Sequence, residues 1–349
     1  MFKPRSSHRF LTNKNCLKKT INMHHSDFQD TFQTSDFTNQ KKRIRKEIKV
    51  EAHPFRDTIT EFEEMRSLLV KSYTFNKNFG SWMFSRLENW KFGSNMLKAG
   101  KDPDYFKKRA QLWRNEKKEL IGFCIQEYEN SGIHIQPRPG DLFLIPLMVD
   151  WIVSDWGKDK ETIETYSIDE DFYTYELLMV AGFKDLGDVG IMREYETSLK
   201  REQILLKPGF TVKSLSTYQN YESLIDTINA AFGLKKKLNI DWLSSKFRAP
   251  SGSENWQLSI VNSDGECVSF CFVWIDPINK IAEIDPIGTH PDYQQNGFAN
   301  HLIIECFNRL KLEGIDSCYI PSKPGSNPSN RLYEALIPES VKKYRLWKI

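Results

Sequence analysis

Between Lys280 and Gly314 the chain passes from one kind of structure to another in a few residues, and that passage limits what it can fold into. "KIAEIDPIGTH" (280–290) reads as a strand, and "THPDYQQNGFANHLIIE" (289–305) carries it through a His-Pro-Asp turn. Phe298, Leu302, Cys306 and Leu310 then recur four apart, as on one face of a helix, and Gly314 stops the pattern. Amide side chains and Gly297 stand on the threshold of that helix. A helix start presents unpaired backbone N–H groups and the positive end of the macrodipole, so it suits an anion. A glycine there lets a ligand approach the backbone closely. The expectation is an α/β fold in which a strand delivers an anion-binding helix.

The surrounding residues read as one such unit. A strand over 209–215 opens it, and a helix over 221–233 closes at Gly233. Strands over 256–262 and 266–276 flank "SDGE", whose Asp-Gly is a hairpin signal. After the helix that begins at Gly297 come a strand over 317–322, a short helix over 327–337 and a final strand over 342–349.

The preceding residues repeat the order: a helix over 55–73, strands over 119–128 and 132–137, and a helix over 141–156. A strand over 162–168, a helix over 172–183 and a strand over 189–196 follow. Pro137 stands as far before the end of the last helix as Pro291 stands before Ile337, which argues for an internal duplication. The expected division is a first domain over 48–197, a linker over 198–208 and a second domain over 209–349.

At 349 residues, two units of about 150 residues are expected. A hydrophobic content of 40% suffices for real cores. The net charge of +3, from 49 basic and 46 acidic residues, argues against a nucleic-acid binder with a broad basic footprint. No apolar run approaches the roughly 18 residues that span a bilayer, so a cytoplasmic protein without membrane contact is expected. Cys16, Cys124, Cys267, Cys271, Cys306 and Cys318 stand singly with no CxxC pair, so no metal is expected. Cys267 and Cys271, four apart in a strand, should share one face as buried thiols.

Residues 1–26 hold Lys3, Arg5, Arg9, Lys14, Lys18 and Lys19 and no acid, and "KKRIRK" follows at 41–46. Residues 1–47 read as a basic, disordered extension, with a targeting presequence as the alternative. A nucleic-acid contact through 41–46 would be strongly salt-dependent.

The second unit resembles the GNAT superfamily of acetyl-CoA-dependent N-acetyltransferases. The residues that carry the likeness are Gln294-Gln295-Asn296-Gly297-Phe298-Ala299 after Thr289-His290-Pro291, then Asn327 and Leu332-Tyr333-Glu334-Ala335-Leu336. Ile337-Pro338 replaces the Gly-Phe that the family shows next. The first unit keeps Ala181-Gly182-Phe183 but has Leu178 where the tyrosine would fall and Gln136-Pro137-Arg138-Pro139-Gly140-Asp141 where the glycine signature would stand. The pair looks like two tandem GNAT-like domains, similar in arrangement to mycothiol synthase, each a mixed, mostly antiparallel sheet flanked by helices. The first would be degenerate, a scaffold and one wall of the acceptor pocket.

The resemblance implies that the backbone of Gln294, Gln295, Asn296, Gly297, Phe298, Ala299 and Asn300 cradles the pyrophosphate of acetyl-CoA. Ile287, Gly288 and Thr289 would offer backbone groups to the pantetheine arm, and Asn327 a side chain to the pantetheine or a helix cap. Acetyl transfer to an amine needs a neutral nucleophile, hence a base, and the departing thiolate needs an acid. Tyr333 fits the acid, and Glu283 and Asp285, two apart on one strand face, are candidate bases. The acceptor pocket is expected from 232–247 and the facing lobe, with Trp242, Trp256 and Trp274 as possible lining. The alternative is a non-catalytic acyl-CoA or metabolite-binding module of the same fold. The acceptor, whether aminoglycoside, polyamine, amino acid, peptide N-terminus or protein lysine, stays open, as does the oligomeric state.

Overall fold

A computed structural model describes residues 49–77, 80–128, 132–203, 205–325 and 327–349. The basic clusters of 1–47, and Cys16 with them, lie outside the described residues. The first half runs β1 (Glu51–Pro54), α1 (Ile59–Asn76), α2 (Phe84–Phe92), α3 (Ser94–Ala99), β2 (Ala110–Arg114), β3 (Leu120–Ile125) and β4 (Gly132–Pro137). It continues through α4 (Ile145–Trp151), β5 (Glu164–Ile168), α5 (Phe172–Val180) and β6 (Lys184–Glu196). The second half runs β7 (Thr211–Ser214), α6 (Leu215–Tyr218), α7 (Tyr221–Ala231), α8 (Ile240–Lys246), β8 (Gln257–Val261) and β9 (Cys267–Asp276). It ends with β10 (Ile281–Thr289), α9 (Phe298–Leu312), β11 (Ser317–Ser322), α10 (Pro328–Ala335) and β12 (Ser340–Lys348). Each half thus contributes strand, helices, three strands, helix, strand, helix and strand.

Local chemistry explains where the elements fall. The helix expected over 55–73 starts later because Asp57 turns to φ 61° and Thr58 caps the new start, its Oγ1 accepting from Glu61 N at 3.2 Å. The single helix expected over 141–156 is three pieces: a 3-10 turn at Leu142–Leu144, α4 with Pro146 in its first turn, and a π turn at Ile152–Trp156. Proline has no N–H to give, so it is tolerated only at such a start. Strands β1 and β2 and helices α2, α3 and α6 have no counterpart among the expected elements. Strand β1 is a short, largely exposed edge, α2 and α3 bury polar Glu88 and Asn95 among their apolar residues, and β2 is brief.

The twelve described strands form one sheet in the order β1-β2-β3-β4-β5-β12-β6-β11-β10-β9-β8-β7. The pairs β4·β5 and β10·β11, at matching places in the two halves, are parallel, and every other pair is antiparallel. Helices cover both faces. In the first half α1–α3 bury one apolar cluster and α4–α5 another; in the second, α6–α8 and α9–α10 do the same. Several clusters cross between the halves: Ala249 and Trp274 pack among the residues of α1–α3, Tyr195 joins the second-half core and Trp347 the first-half core.

Two strands change places. The chain's last strand, β12, lies between β5 and β6 of the first half, and β6 in turn lies against β11 of the second. The linker at 198–208 therefore divides the chain but not the sheet, and we propose that the segments 48–197 and 209–349 unfold as one unit. Trp347 on β12 is fully buried in the first-half core, its Nε1 donating to Ser167 Oγ at 2.9 Å and its ring edge-on to Tyr175. Removing a buried indole costs about 3–5 kcal/mol. Trp347→Ala should accordingly lower the denaturant midpoint of both halves together; a loss below about 1 kcal/mol would contradict this packing.

One cysteine expectation is corrected. Cys271 packs with the α9 side of the sheet and Cys267 with the α7–α8 side. A register shift between Ile260 and Val261 in the β8·β9 ladder inserts a residue and reverses the alternation, so residues four apart no longer share a face. The five described cysteines are free and buried.

Candidate active site

The β10·β11 ladder covers only Ile281–Glu283 against Ser317–Tyr319. Beyond Glu283 the two strands diverge, and β10 also breaks register with β9 between Ile284 and Ile287. Asp285 falls in that break, with Trp274 Nε1 donating to its carbonyl at 2.6 Å. Ile287, Gly288 and Thr289 rejoin β9 opposite Cys271, Phe270 and Ser269. The Ser269 hydroxyl donates to Gly288 O at 3.0 Å and lies 2.9 Å from Thr289 Oγ1. A Cβ on Gly288 would stand 2.9 Å from the Phe270 ring, so a side chain there displaces the aromatic layer. On the β11 side the backbone of 287–289 has no ladder partner among the described residues.

The wedge leads to the start of α9. Gly297 is its N-cap at φ 76° and no side chain caps the helix, whereas Thr58, Asp171, Asn220, Asn239 and Asn327 cap α1, α5, α7, α8 and α10. Gln295 also takes a left-handed turn, at φ 62°. Gln294 Nε2 reaches back to Thr289 O at 3.4 Å, and Asn296 Nδ2 donates to Tyr293 O at 3.1 Å and Gln294 O at 3.2 Å. Lys207 from the linker donates to Asn296 Oδ1 at 2.7 Å. Asn300 Oδ1 is buried without a partner, while Phe298 is held in the core against Phe210 and Ala299 is half-buried. An uncapped fifteen-residue helix, a left-handed glycine and a neighbouring lysine fit a diphosphate.

At the apex of the wedge the two halves enclose a cleft of about 620 Å³. Glu283 and Asp285 line it from β10, and Arg86, Asn89, Glu127, His134 and Tyr344 face them from other elements. Glu283 is fully buried; one carboxylate oxygen accepts from Ser85 Oγ, and the other, Oε1, has no partner among the described residues. Burial, reinforced by the charge of Asp285, pushes the Glu283 carboxyl up to about 8. Burial raises Asp285 too, against the opposing charges of Lys246 and Arg86. Glu127 is held the other way: burial acts to raise it, but the Arg86 guanidinium and His134 together bring it to about 2. His134, stacked between Trp82 and Tyr166, is kept neutral chiefly by burial, which lowers its pKa. One carboxylate is thus locked in an ion pair, and a second keeps a free oxygen and an affinity for protons.

Tyr333 lies on α10, buried, with its phenol pushed up to about 12 by burial and then by the charge of Asp285, and pulled down by Arg193. Asn327 caps α10, its Oδ1 accepting from Asn330 N at 2.8 Å. Ile337 stands at φ 59° where the family pattern has glycine, a strained conformation for a β-branched residue. Helix α10 nevertheless reaches Ala335, so the substitution leaves Tyr333 on the helix.

The expected acceptor lining is not what encloses the cleft. Trp242 and Trp274 are buried, Trp256 packs on the second-half core, and Lys246 sits among the rings of Trp242, Phe272 and Trp274. Burial in that apolar cage brings the Lys246 ammonium down to about 8. The cleft is lined from the first half by Arg86, Glu127 and His134, with Ser85 donating to Glu283, and none of these stood among the expected site residues. The signals present were Arg86 and Glu88 between the apolar Phe84, Leu87 and Trp90, and His134 within the strand "GIHIQP".

The mixed sheet thus opens as one wedge on an uncapped helix. Residues 222–336 match the model of the acetyltransferase (GNAT) family. That match lies within the second half and covers 115 of the chain's 349 residues. The solved GCN5-related N-acetyltransferase of Sphaerobacter thermophilus superposes with a TM-score of 0.57 at 14% identity, over 86% of this chain and 95% of that one. A tandem GNAT protein from the clavulanic acid biosynthesis pathway gives 0.56 at 9% identity, over 86% and 98%. These likenesses bear on the fold alone. In sequence, 210 residues are 23% identical to an amino-acid acetyltransferase of Vibrio cholerae, covering 58% of this chain and 45% of that protein. The chain thus spans about half the length of that relative. Among the described residues no cluster of His, Cys, Asp and Glu suits a metal ion, and no helix is long and apolar enough to cross a membrane.

Proposed function

We propose that this chain transfers an acetyl group from acetyl-CoA to the primary amine of a small molecule held in the cleft between its halves. The observation that carries the reading is Glu283: a buried carboxyl with an unpartnered oxygen, facing a cleft at the apex of the wedge. Acetyl-CoA, when bound, supplies an activated acyl group. The start of α9, with Lys207, would hold its diphosphate, and the backbone of Ile287, Gly288 and Thr289 would lie along its arm. An amine arriving as an ammonium ion gives a proton to Glu283 Oε1 and becomes nucleophilic. Asp285, beside it, disfavours a second buried negative charge and so keeps the Glu283 carboxylate basic. The amine nitrogen bonds the acetyl carbon as the carbon–sulfur bond breaks. Tyr333 donates its phenolic proton to the departing thiolate and regains one as the new amide sheds its extra N–H proton, and Glu283 releases its proton to solvent.

The amino-acid acetyltransferase relative makes α-amino acids the first acceptors to try, with diamines and amino sugars beside them. The test is release of free coenzyme A thiol from acetyl-CoA in the presence of each acceptor. Release that depends on both substrates supports the reading. Saturable acetyl-CoA binding with no release from any amine would favour the binding module of the same fold.

A further inference from the structure

Helix α10 belongs to the second half, yet what fastens it comes largely from the strand that closes the first. Strand β6 lies beside β11 because β6 and β12 trade places, and its residues Arg193 and Tyr195, two apart, both reach α10. Tyr195, fully buried, donates its hydroxyl to the backbone carbonyl of Tyr333 at 2.8 Å. Arg193, also buried, donates from Nη1 to Asn330 Oδ1 at 3.2 Å and Ser322 Oγ at 2.7 Å, and from Nη2 to Glu334 Oε1 at 3.2 Å. Asn330 passes the restraint on, its Nδ2 donating to Lys323 O at 2.9 Å and Gly325 O at 2.7 Å, the loop that leads into α10. Arg201 of the linker adds a donor to Leu336 O at 2.9 Å. Asn330 and Glu334, which flank Tyr333 on α10, and the carbonyl of Tyr333 itself are therefore each held by a group from the first half.

A helix of eight residues has little rigidity of its own. A proton donor must be held to within a fraction of an ångström to act in the transition state. We propose that Arg193 and Tyr195, donated by the first half through the strand exchange, are positioning residues that fix Tyr333 for proton donation. The inference rests on the reading of Tyr333 as the acid. It gives the first half a part in the chemistry of the second half's site, beyond serving as wall or scaffold.

The test is a double-mutant cycle between Tyr195→Phe and Tyr333→Phe in the full chain, with Arg193→Lys as a second probe. Hydroxylamine serves as acceptor because it is neutral at pH 7 and so bypasses the base. Tyr333→Phe is expected to lower kcat about 100-fold, within the range general acids contribute. Tyr195→Phe and Arg193→Lys should each lower kcat about tenfold with Tyr333 present and less than twofold in the Tyr333→Phe background. Affinity for acetyl-CoA, measured by titration, should stay within twofold throughout. Equal losses in both backgrounds, or losses that follow the melting temperature, would mean a merely structural role and overturn the inference. An unchanged rate in Tyr333→Phe alone would remove the acid itself, and the positioning role with it.

Discussion

Glu283→Gln is expected to lower kcat/KM for acetyl transfer at least 100-fold, the lower end of what a positioned general base contributes. Glutamine keeps the shape and the contact to Ser85 but cannot take a proton from the ammonium ion. The pH dependence carries a sign that separates this from a packing effect. A base is active when deprotonated, and Glu283 is raised to about 8, so in the wild type kcat/KM should climb as pH rises through that value. The climb should vanish in Glu283→Gln. Glu283, raised to about 8, is already uncharged at neutral pH, so a neutral amide in its place should leave the fold intact. Steady-state rates across pH 6–9, with a melting curve for each protein, measure all of this. A variant that turned over like the wild type would move the base to Asp285 or to water.

The second large effect is at the start of α9. Gly297 holds φ 76° there, a conformation that costs an L-residue about 1–2 kcal/mol and a β-branched one more. In Gly297→Val either that strain persists or the turn relaxes, and in both cases the added side chain crowds the space over the first-turn amides. The helix below is secured by Phe298, Leu302, Cys306 and Leu310 in the core, so the fold should survive while the anion site does not. Binding of acetyl-CoA should fall below detection at concentrations that saturate the wild type.

Much of this site was legible because its parts are local in sequence. The strand at 281–289, the glycine threshold and the helix with apolar residues four apart occupy one short stretch, and the structure sets them in that order. Glu283, Asp285 and Asn327 likewise follow from strand spacing and capping chemistry. What the sequence withheld is everything that depends on the two halves meeting. Nothing in "KKYRLWKI" says that the strand pairs with residues 164–168 rather than with its own neighbours, since an amphipathic strand fits any compatible edge. The walls of the cleft come from Arg86, Glu127 and His134, far from β10 in the chain, and a buried charge is recognisable only once its partner is known. The tryptophans misled for the converse reason. A large aromatic suits a pocket wall or a core equally, and Trp242 and Trp274 are buried around Lys246.

If acetyl-CoA binds on the 294–300 segment, thermal unfolding of the wild type and of Gly297→Val, each with and without acetyl-CoA, will separate the two proteins. A ligand at 100 times its dissociation constant stabilises the native state by about 2.7 kcal/mol. For a cooperative unit of about 300 residues, losing about 2.1 cal/mol/K per residue in entropy on folding, that is a rise of about 4 °C. The wild type should show this rise and Gly297→Val none. Equal rises in both proteins, or none in the wild type at saturating coenzyme, would contradict it.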